Sequence, residues 1–459
     1  MKNQSHGLAR NLQSRHIMMI ALGGSIGAGI FKGSSDSISV AGPGVVISYL
    51  IGGLLLLAVM QGLAEMVVHN RGARTHLDLI EKSVGRFAGY SVGWMSWFMY
   101  VVVMAAEIVA SAFFLQYWFT DTPLWVLSLI VSLVITALNL FKVNVFGEVE
   151  YVLTGIKVSV LALFIFLGGY LLFFGTENFA PVGFTNLTAH EGFFPLGLSG
   201  IAASMLVVMF SFGGSEMIGM TLAETEQPEK VIPRAARGVI LRILVFYALP
   251  ILIIVGLVPW NQISASASPF ITVFESVGIP YVADFMNFVM LIAMISAANS
   301  NMYASSRMLF AKAQDGRAPK FLAVLSKQKS PVRAILVCVL FLYLGVLFAF
   351  FAEEQTFGYL MIIPAYTVMS VWIMLLVAHL RSRKTESSPQ GYRAFGAPVT
   401  TWMALISLLI IFVGVVITSP VMGTVFYAMV LLVITGSYLL YRKESDKGTQ
   451  GNQQVATNN

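Results

Sequence analysis

The chain has 459 residues, 57% of them hydrophobic and only 11% charged, with a mean hydropathy of +0.80. A soluble domain carries about 25% charged residues, so a soluble core protein is excluded. The formal charge of +6 does not point to nucleic acid, because the Lys and Arg residues sit in short loops between apolar blocks, and the single cysteine, Cys338, allows no internal disulfide.

Twelve apolar stretches follow one another, at roughly 17–38, 44–67, 86–117, 123–141, 149–174, 196–222, 236–258, 281–308, 333–351, 357–379, 401–418 and 422–441. About 20 residues at 1.5 Å each match the ~30 Å hydrocarbon core. Only helices satisfy their own backbone over such lengths in lipid, so the expected fold is an all-α membrane bundle. A cleaved signal peptide is not expected: the first block is glycine-rich and runs into another loop without a small-x-small cleavage pattern. The loops carrying Arg71 to Arg86, Lys142, Lys230 to Arg237, Arg307 to Arg333 and Arg381 to Arg393 all fall on the side of Arg10 and Arg15. The positive-inside rule makes that side cytoplasmic, and an even number of spans returns the C-terminus to it. Lys32 alone falls near the outer side, and Lys157 falls within a span. Residues 1–16 then form a cytoplasmic tail, and 442–459 a polar tail expected to be disordered. The localisation expected is the inner (plasma) membrane. No GxxxxGK[ST] phosphate loop occurs, and no soluble second domain is present to suggest a sensor kinase or an ATP-driven exporter.

Two spans should not be whole helices. The first contains Gly23-Gly24-Ser25-Ile26-Gly27-Ala28-Gly29, and the sixth Ser211-Phe212-Gly213-Gly214-Ser215-Glu216. Each interior glycine costs a helix about 1 kcal/mol relative to alanine. Singly, such motifs read as close helix packing through small residues. As a pair in spans one and six they enter the membrane from opposite faces, the arrangement that marks a transporter's binding site. A broken helix exposes N–H groups with a positive dipole end on one side and free carbonyls on the other. Together these suit the carboxylate and ammonium of a zwitterionic amino acid.

Four charged side chains fall at membrane depth: Glu65, Glu107, Lys157 and Glu216. Such groups are costly and by default functional. Lys157 sits about 12 Å inside span five, either snorkelling to the interface or buried so that its proton comes and goes. Glu107 lies too deep in span three to snorkel, and reads as a functional or a paired structural carboxyl. Glu216 abuts the second break and could organise its unwound backbone. Glu65, near the inner end of span two, is expected at the interface. None of the six histidines lies mid-span or shows metal-ligand spacing, so no metal and no cofactor is expected.

The stretches ALGGSIGAGIFKGSS, MAAEIVASAFF, FGEVEYVLTGIKV, FSFGGSEMIGMTLAETEQPEKVIPRAARGVILRILVFY and NSNMYASSRMLFAKAQDGRAPKFLAVLSK resemble, over nearly the whole chain, the bacterial amino acid permeases of the amino acid–polyamine–organocation superfamily. The resemblance implies two inverted five-helix repeats of the LeuT-like kind, at 17–174 and 196–379, plus two further helices at 401–441. It implies proton-coupled uptake. The substrate carboxylate would meet backbone amides at Ser25, Ile26, Gly27, Ala28 and Gly29. The ammonium would meet carbonyls at Leu22 and Gly23 and at Phe210, Ser211 and Gly213. Lys157 falls where sodium-coupled relatives bind sodium, with Ser296, Asn299 and Ser300 of span eight near it. Where many relatives read HNPVAGSF after span two, this chain reads HNRGARTH from His69 to His76, so altered gating contacts or regulation are expected there.

The leading expectation is therefore a secondary transporter that imports an amino acid by proton symport and is not an enzyme. The expected substrate is small and neutral, such as threonine, serine or alanine, with γ-aminobutyrate open. Its partners would be that substrate, the proton and the bilayer. An exchanger without net proton movement is disfavoured by Lys157, and a membrane receptor by the lack of an appended domain.

Overall fold

The computed structural model describes residues 26–70, 72–141, 146–177, 179–220, 222, 227–263, 268–277, 281–326, 330–352, 355–385 and 391–457, with backbone alone at 141, 146–149, 217, 276–277 and 443–457. Among them there are helices, turns and one isolated bridge, Thr176 to Phe179, and no strand. The helices used below are α1 (Gly33–Ala41, preceded by the single turn Ala28–Phe31), α2 (Val45–His69), α3 (Arg86–Gln116), α4 (Leu124–Phe141), α5 (Phe146–Phe173), α6 (Gly197–Phe212), α7 (Val239–Leu257), α8 (Val282–Gln314), α9 (Val332–Ala352), α10 (Thr356–Thr385), α11 (Val399–Thr418) and α12 (Val421–Thr457).

Nine of the described segments are long and apolar enough to cross a membrane, with Gly33–His69 taken as one; α4 and α6 are shorter apolar helices. Gly33–His69 would be about 55 Å long as one rod, nearly twice the hydrocarbon core. It is two helices, divided by a 3-10 turn at Gly42-Pro43-Gly44 whose first residue has φ +60°. Most observed bounds lie within a few residues of the expected spans. α8 runs six residues further than expected, to Gln314, because Arg307–Gln314 continues the helix into the polar region. α12 likewise continues through Thr457, where the sequence suggests a disordered tail. Extending a nucleated helix is far cheaper than starting one.

Small side chains decide which helices are central. α3 carries Gly89, Gly93, Ala105, Ala106, Ala110, Ser111 and Ala112 and packs against α8 and α10. Small residues allow such close approach where lipid offers no hydrophobic drive. The most apolar stretch of α3 is 78% buried; that of α12 is 17%. Phe166, Phe351, Ile417, Val421 and Leu432 are all exposed, as suits side chains that face hydrocarbon. α11 and α12 therefore stand at the periphery.

α7 is not uniform. Residues 244–248 form a π turn directly before Leu249-Pro250. Pro250 has no N–H to give to the carbonyl four residues back, so the ladder widens by one residue there. The wider turn carries Tyr247, whose ring packs on Phe212 at 4.6 Å and stacks with Tyr49 at 6.1 Å.

Candidate functional site

The sixth span is broken as expected. α6 ends at Phe212, Gly213 leaves the helix at ψ 143°, and Gly214 sits at φ +91°, a conformation that glycine adopts without strain. The chain resumes as a 3-10 helix at Ser215–Met220. Glu216 is buried at this junction; one oxygen accepts the Gly214 N–H at 3.3 Å and the other the Trp372 indole N–H at 3.4 Å. At the first break the described chain begins with Ile26 and Gly27 outside any helix, Gly27 being extended, followed by the single turn Ala28–Phe31. Leu22, Gly23 and Ser25 lie outside the described residues.

The two breaks touch. A Cβ on Gly29 would come within 2.5 Å of the Ser211 Cα. Two carbonyls expected to face the ammonium already receive bonds: that of Ser211 from the Tyr247 hydroxyl at 3.2 Å, and that of Phe210 from the Gly213 N–H at 3.1 Å. Each keeps a second lone pair. The amide of Ala28 is also engaged: both oxygens of the buried Glu107 carboxylate accept its N–H at 3.0 Å. Gly27 makes room for this, since a Cβ there would meet Glu107 Oε1 at 2.3 Å. Glu107 thus places a carboxylate on an amide assigned, by resemblance, to the carboxylate of the substrate.

Lys157 does not snorkel; it is 1% exposed. Its Nζ lies 3.8 Å from Glu150 Oε1, and Glu150 Oε2 accepts the Ser296 hydroxyl at 2.9 Å. The Thr154 hydroxyl adds a bond to Glu150 at 3.2 Å. Lys157 also interacts electrostatically with Glu107. Of the three α8 residues, Ser296 alone joins this network: Asn299 accepts from Asn139 of α4 at 2.7 Å, and the buried Ser300 hydroxyl has no hydrogen-bond partner among the described residues. Glu150 is the residue that sequence reasoning missed. Its spacing of seven from Lys157, two helical turns on one face, is the signal that could have found it.

Among the described residues no cluster of His, Cys, Asp and Glu could hold a metal.

The amino acid permease family profile matches residues 16–445. The chain belongs to the amino acid permease family. It is 50% identical over 441 residues to the uncharacterized amino acid permease YvbW of Bacillus subtilis (strain 168), covering 96% of this chain and 99% of that one. It is 38% identical over 455 residues to the aromatic amino acid transport protein AroP of Escherichia coli (strain K12), with 98% and 99% covered, and 37% identical over 451 residues to the γ-aminobutyric acid permease of Bacillus subtilis (strain 168), with 96% and 95% covered. The protein is thus a multi-pass membrane permease, a transporter and not an enzyme.

Two further buried groups tie these helices to distant segments. Glu65, expected near the inner end of its span, is not solvated there. It is buried, with one oxygen 3.2 Å from His379 Nε2 and 2.7 Å from the Ala394 N–H, and the other 3.4 Å from Arg383 Nε. A buried carboxylate needs such partners, and these are more than 300 residues away in sequence. The unusual stretch after α2 leads into the short helix His76–Val84, whose Asp78 accepts the N–H groups of Arg74 and Thr75 at 2.7 and 3.1 Å. His76, fully buried, packs on the half-helix after the second break: a Cβ on Gly219 would lie 2.9 Å from its Nδ1.

Burial holds His76 down to about 4, against smaller opposing influences from the Gly219 backbone and from Asp78. The contact therefore requires neutral imidazole. An exposed His76 gains a proton below about pH 6.5 that the buried one refuses until about pH 4, so this contribution is complete above that window and is lost as pH falls through it. At pH 4 the loss amounts to about 3 kcal/mol. Melting measured from pH 7.5 to 5 is expected to fall more steeply for the wild type than for His76→Phe; parallel curves would refute the assignment.

Proposed function

We propose that this permease imports a neutral amino acid by proton symport, through a site formed where the first and sixth helices break. The proposed architecture is twelve spans, two inverted five-helix repeats followed by α11 and α12, with both termini cytoplasmic. The one-sided Lys and Arg distribution supports that orientation. The substrates named for AroP and for the γ-aminobutyrate permease share one carboxylate, one ammonium and no further ionised group. A neutral zwitterion is therefore the substrate class, and a small one is our specific reading, because Gly29 and Ser211 approach so closely.

The observation that carries the coupling is the seating of Glu107 on the Ala28 amide. Two carboxylates cannot share that N–H without strong like-charge repulsion. The substrate's carboxylate must displace Glu107, and a displaced carboxylate in a dry interior is best kept neutral by a proton. Glu107, Glu150 and Lys157 together carry a charge of −1 when all are ionised, so one proton makes the trio neutral. Loading then couples one substrate to one proton: the proton enters the trio as the substrate takes the amide, and both leave towards the cytoplasm.

Glu107→Gln tests this. The amide isostere can still accept the Ala28 N–H but has no charge to exchange. In proteoliposomes, uptake driven by a pH gradient is expected to drop at least about 10-fold, the equivalent of ~1.4 kcal/mol in the barrier, while counterflow of labelled substrate persists. Wild-type pH dependence in this variant would remove Glu107 from the mechanism. The substrate itself would come from thermal-shift screening of the twenty amino acids and γ-aminobutyrate, followed by uptake of the hits.

A further inference from the structure

We infer that the groove between the ends of α10 and α11 is a binding site for an anionic glycerophospholipid. The groove encloses about 500 Å³ and is lined by Arg381, Arg383, Lys384, Pro398, Trp402 and Leu405, among others. Its cations are not equivalent. Arg383 is turned inward, its Nε paired with Glu65. Arg381 gives one N–H to the Val84 carbonyl at 3.3 Å, and neither it nor Lys384 forms an ion pair among the described residues. Two exposed positive charges thus remain at the mouth.

The walls suit the rest of a lipid. Trp402 is half exposed, and Val399, Met403 and Ile406 beside it are exposed as well. Tryptophan at the end of a membrane helix marks the headgroup level, where an aromatic body and a polar edge are both satisfied. About one turn further in, Leu405 and, on α10, Val377 offer an apolar surface for acyl chains, while Pro398 closes the headgroup side. A guanidinium and an ammonium above such a wall match a phosphodiester.

The groove is also preformed. The segment leading into α11 is pinned to α2, the Ala394 N–H on Glu65 at 2.7 Å and the Phe395 N–H on Gln61 at 3.1 Å. A headgroup bound there bridges α10 to this anchored segment and so favours the folded arrangement of both. The groove lies on the side proposed above as cytoplasmic, and the inference rests on that orientation only for the choice of leaflet; lipid binding is read without any transport assay, so either can fail alone.

Permease purified in detergent is melted with added phosphatidylglycerol, phosphatidylcholine or glycerol 3-phosphate, and its lipid adducts are counted by native mass spectrometry. A ligand that binds only the folded state raises the melting temperature. The expected result is an upward shift with phosphatidylglycerol alone, and a retained phosphatidylglycerol adduct, both lost in Arg381→Gln/Lys384→Gln. Should the double variant aggregate, Lys384→Gln alone, which breaks no hydrogen bond among the described residues, is expected to reduce the shift. An equal shift with phosphatidylcholine, an equal shift with glycerol 3-phosphate (a free-anion site), or an undiminished phosphatidylglycerol shift in the variants would overturn the inference.

Discussion

Lys157→Met is expected to lose uptake driven by a pH gradient by about 100-fold or more, a barrier change of ~2.7 kcal/mol. The ammonium is the cation of a buried trio, and methionine fills its volume without its charge. The loss must be separated from simple unfolding, because removing one partner of a buried ion pair costs about 3–5 kcal/mol. Glu150, 3.8 Å away, would be left charged and without its cation. The double variant Lys157→Met/Glu150→Gln removes that penalty, since glutamine can still accept from Ser296 through its Oε1 and donate an amide N–H to the Thr154 hydroxyl in turn. The double variant should therefore melt closer to the wild type than the single one does, yet remain unable to use a pH gradient. Recovery of proton-driven uptake in the double variant would show that the lysine acts only as a structural counter-ion.

Gly29→Ala is expected to abolish uptake, with a destabilisation of about 1–3 kcal/mol. The new methyl would stand 2.5 Å from the Ser211 Cα, 2.7 Å from its Oγ and 2.9 Å from its Cβ. No rotamer relieves a clash with backbone, so the two broken segments must separate. Ser211→Gly added to this variant removes two of the three contacts and should restore only part of the activity. Gly27→Ala makes the contrasting case. Its methyl meets the carboxylate end of Glu107, which can swing away. That variant should fold well and behave as though Glu107 had been displaced. If uptake by Gly29→Ala matches the wild type, the breaks do not form the site.

The spans that the described residues cover were legible because apolar length is a physical requirement of the bilayer, and the break in span six was legible because few arrangements tolerate adjacent glycines within a helix. Glu107, Lys157 and Glu216 announced themselves as charges where charges are costly. Their partners were less visible. Glu150 stands near the start of its span, where a carboxylate excites no suspicion, although its register on α5 points at Lys157. The pairing of Glu65 with His379, Arg383 and the Ala394 amide links segments more than 300 residues apart. No local pattern encodes that, and the inner end of a helix is an ordinary place for a solvated glutamate. Tyr247 was equally hidden, since its reach to Ser211 depends on a π turn set by Pro250.

That turn has a consequence for how the second break could let go. A π turn differs from an α turn by one residue of register, and one residue is about 100° around a helix axis. Relaxing residues 244–248 to α geometry, at the cost of leaving the Phe246 carbonyl unpaired beneath Pro250, would swing Tyr247 aside and withdraw its hydroxyl from the Ser211 carbonyl, freeing an acceptor for a cation. α7 would then act as a two-position catch with a single click between settings, because a hydrogen-bond ladder offers no stable half-step.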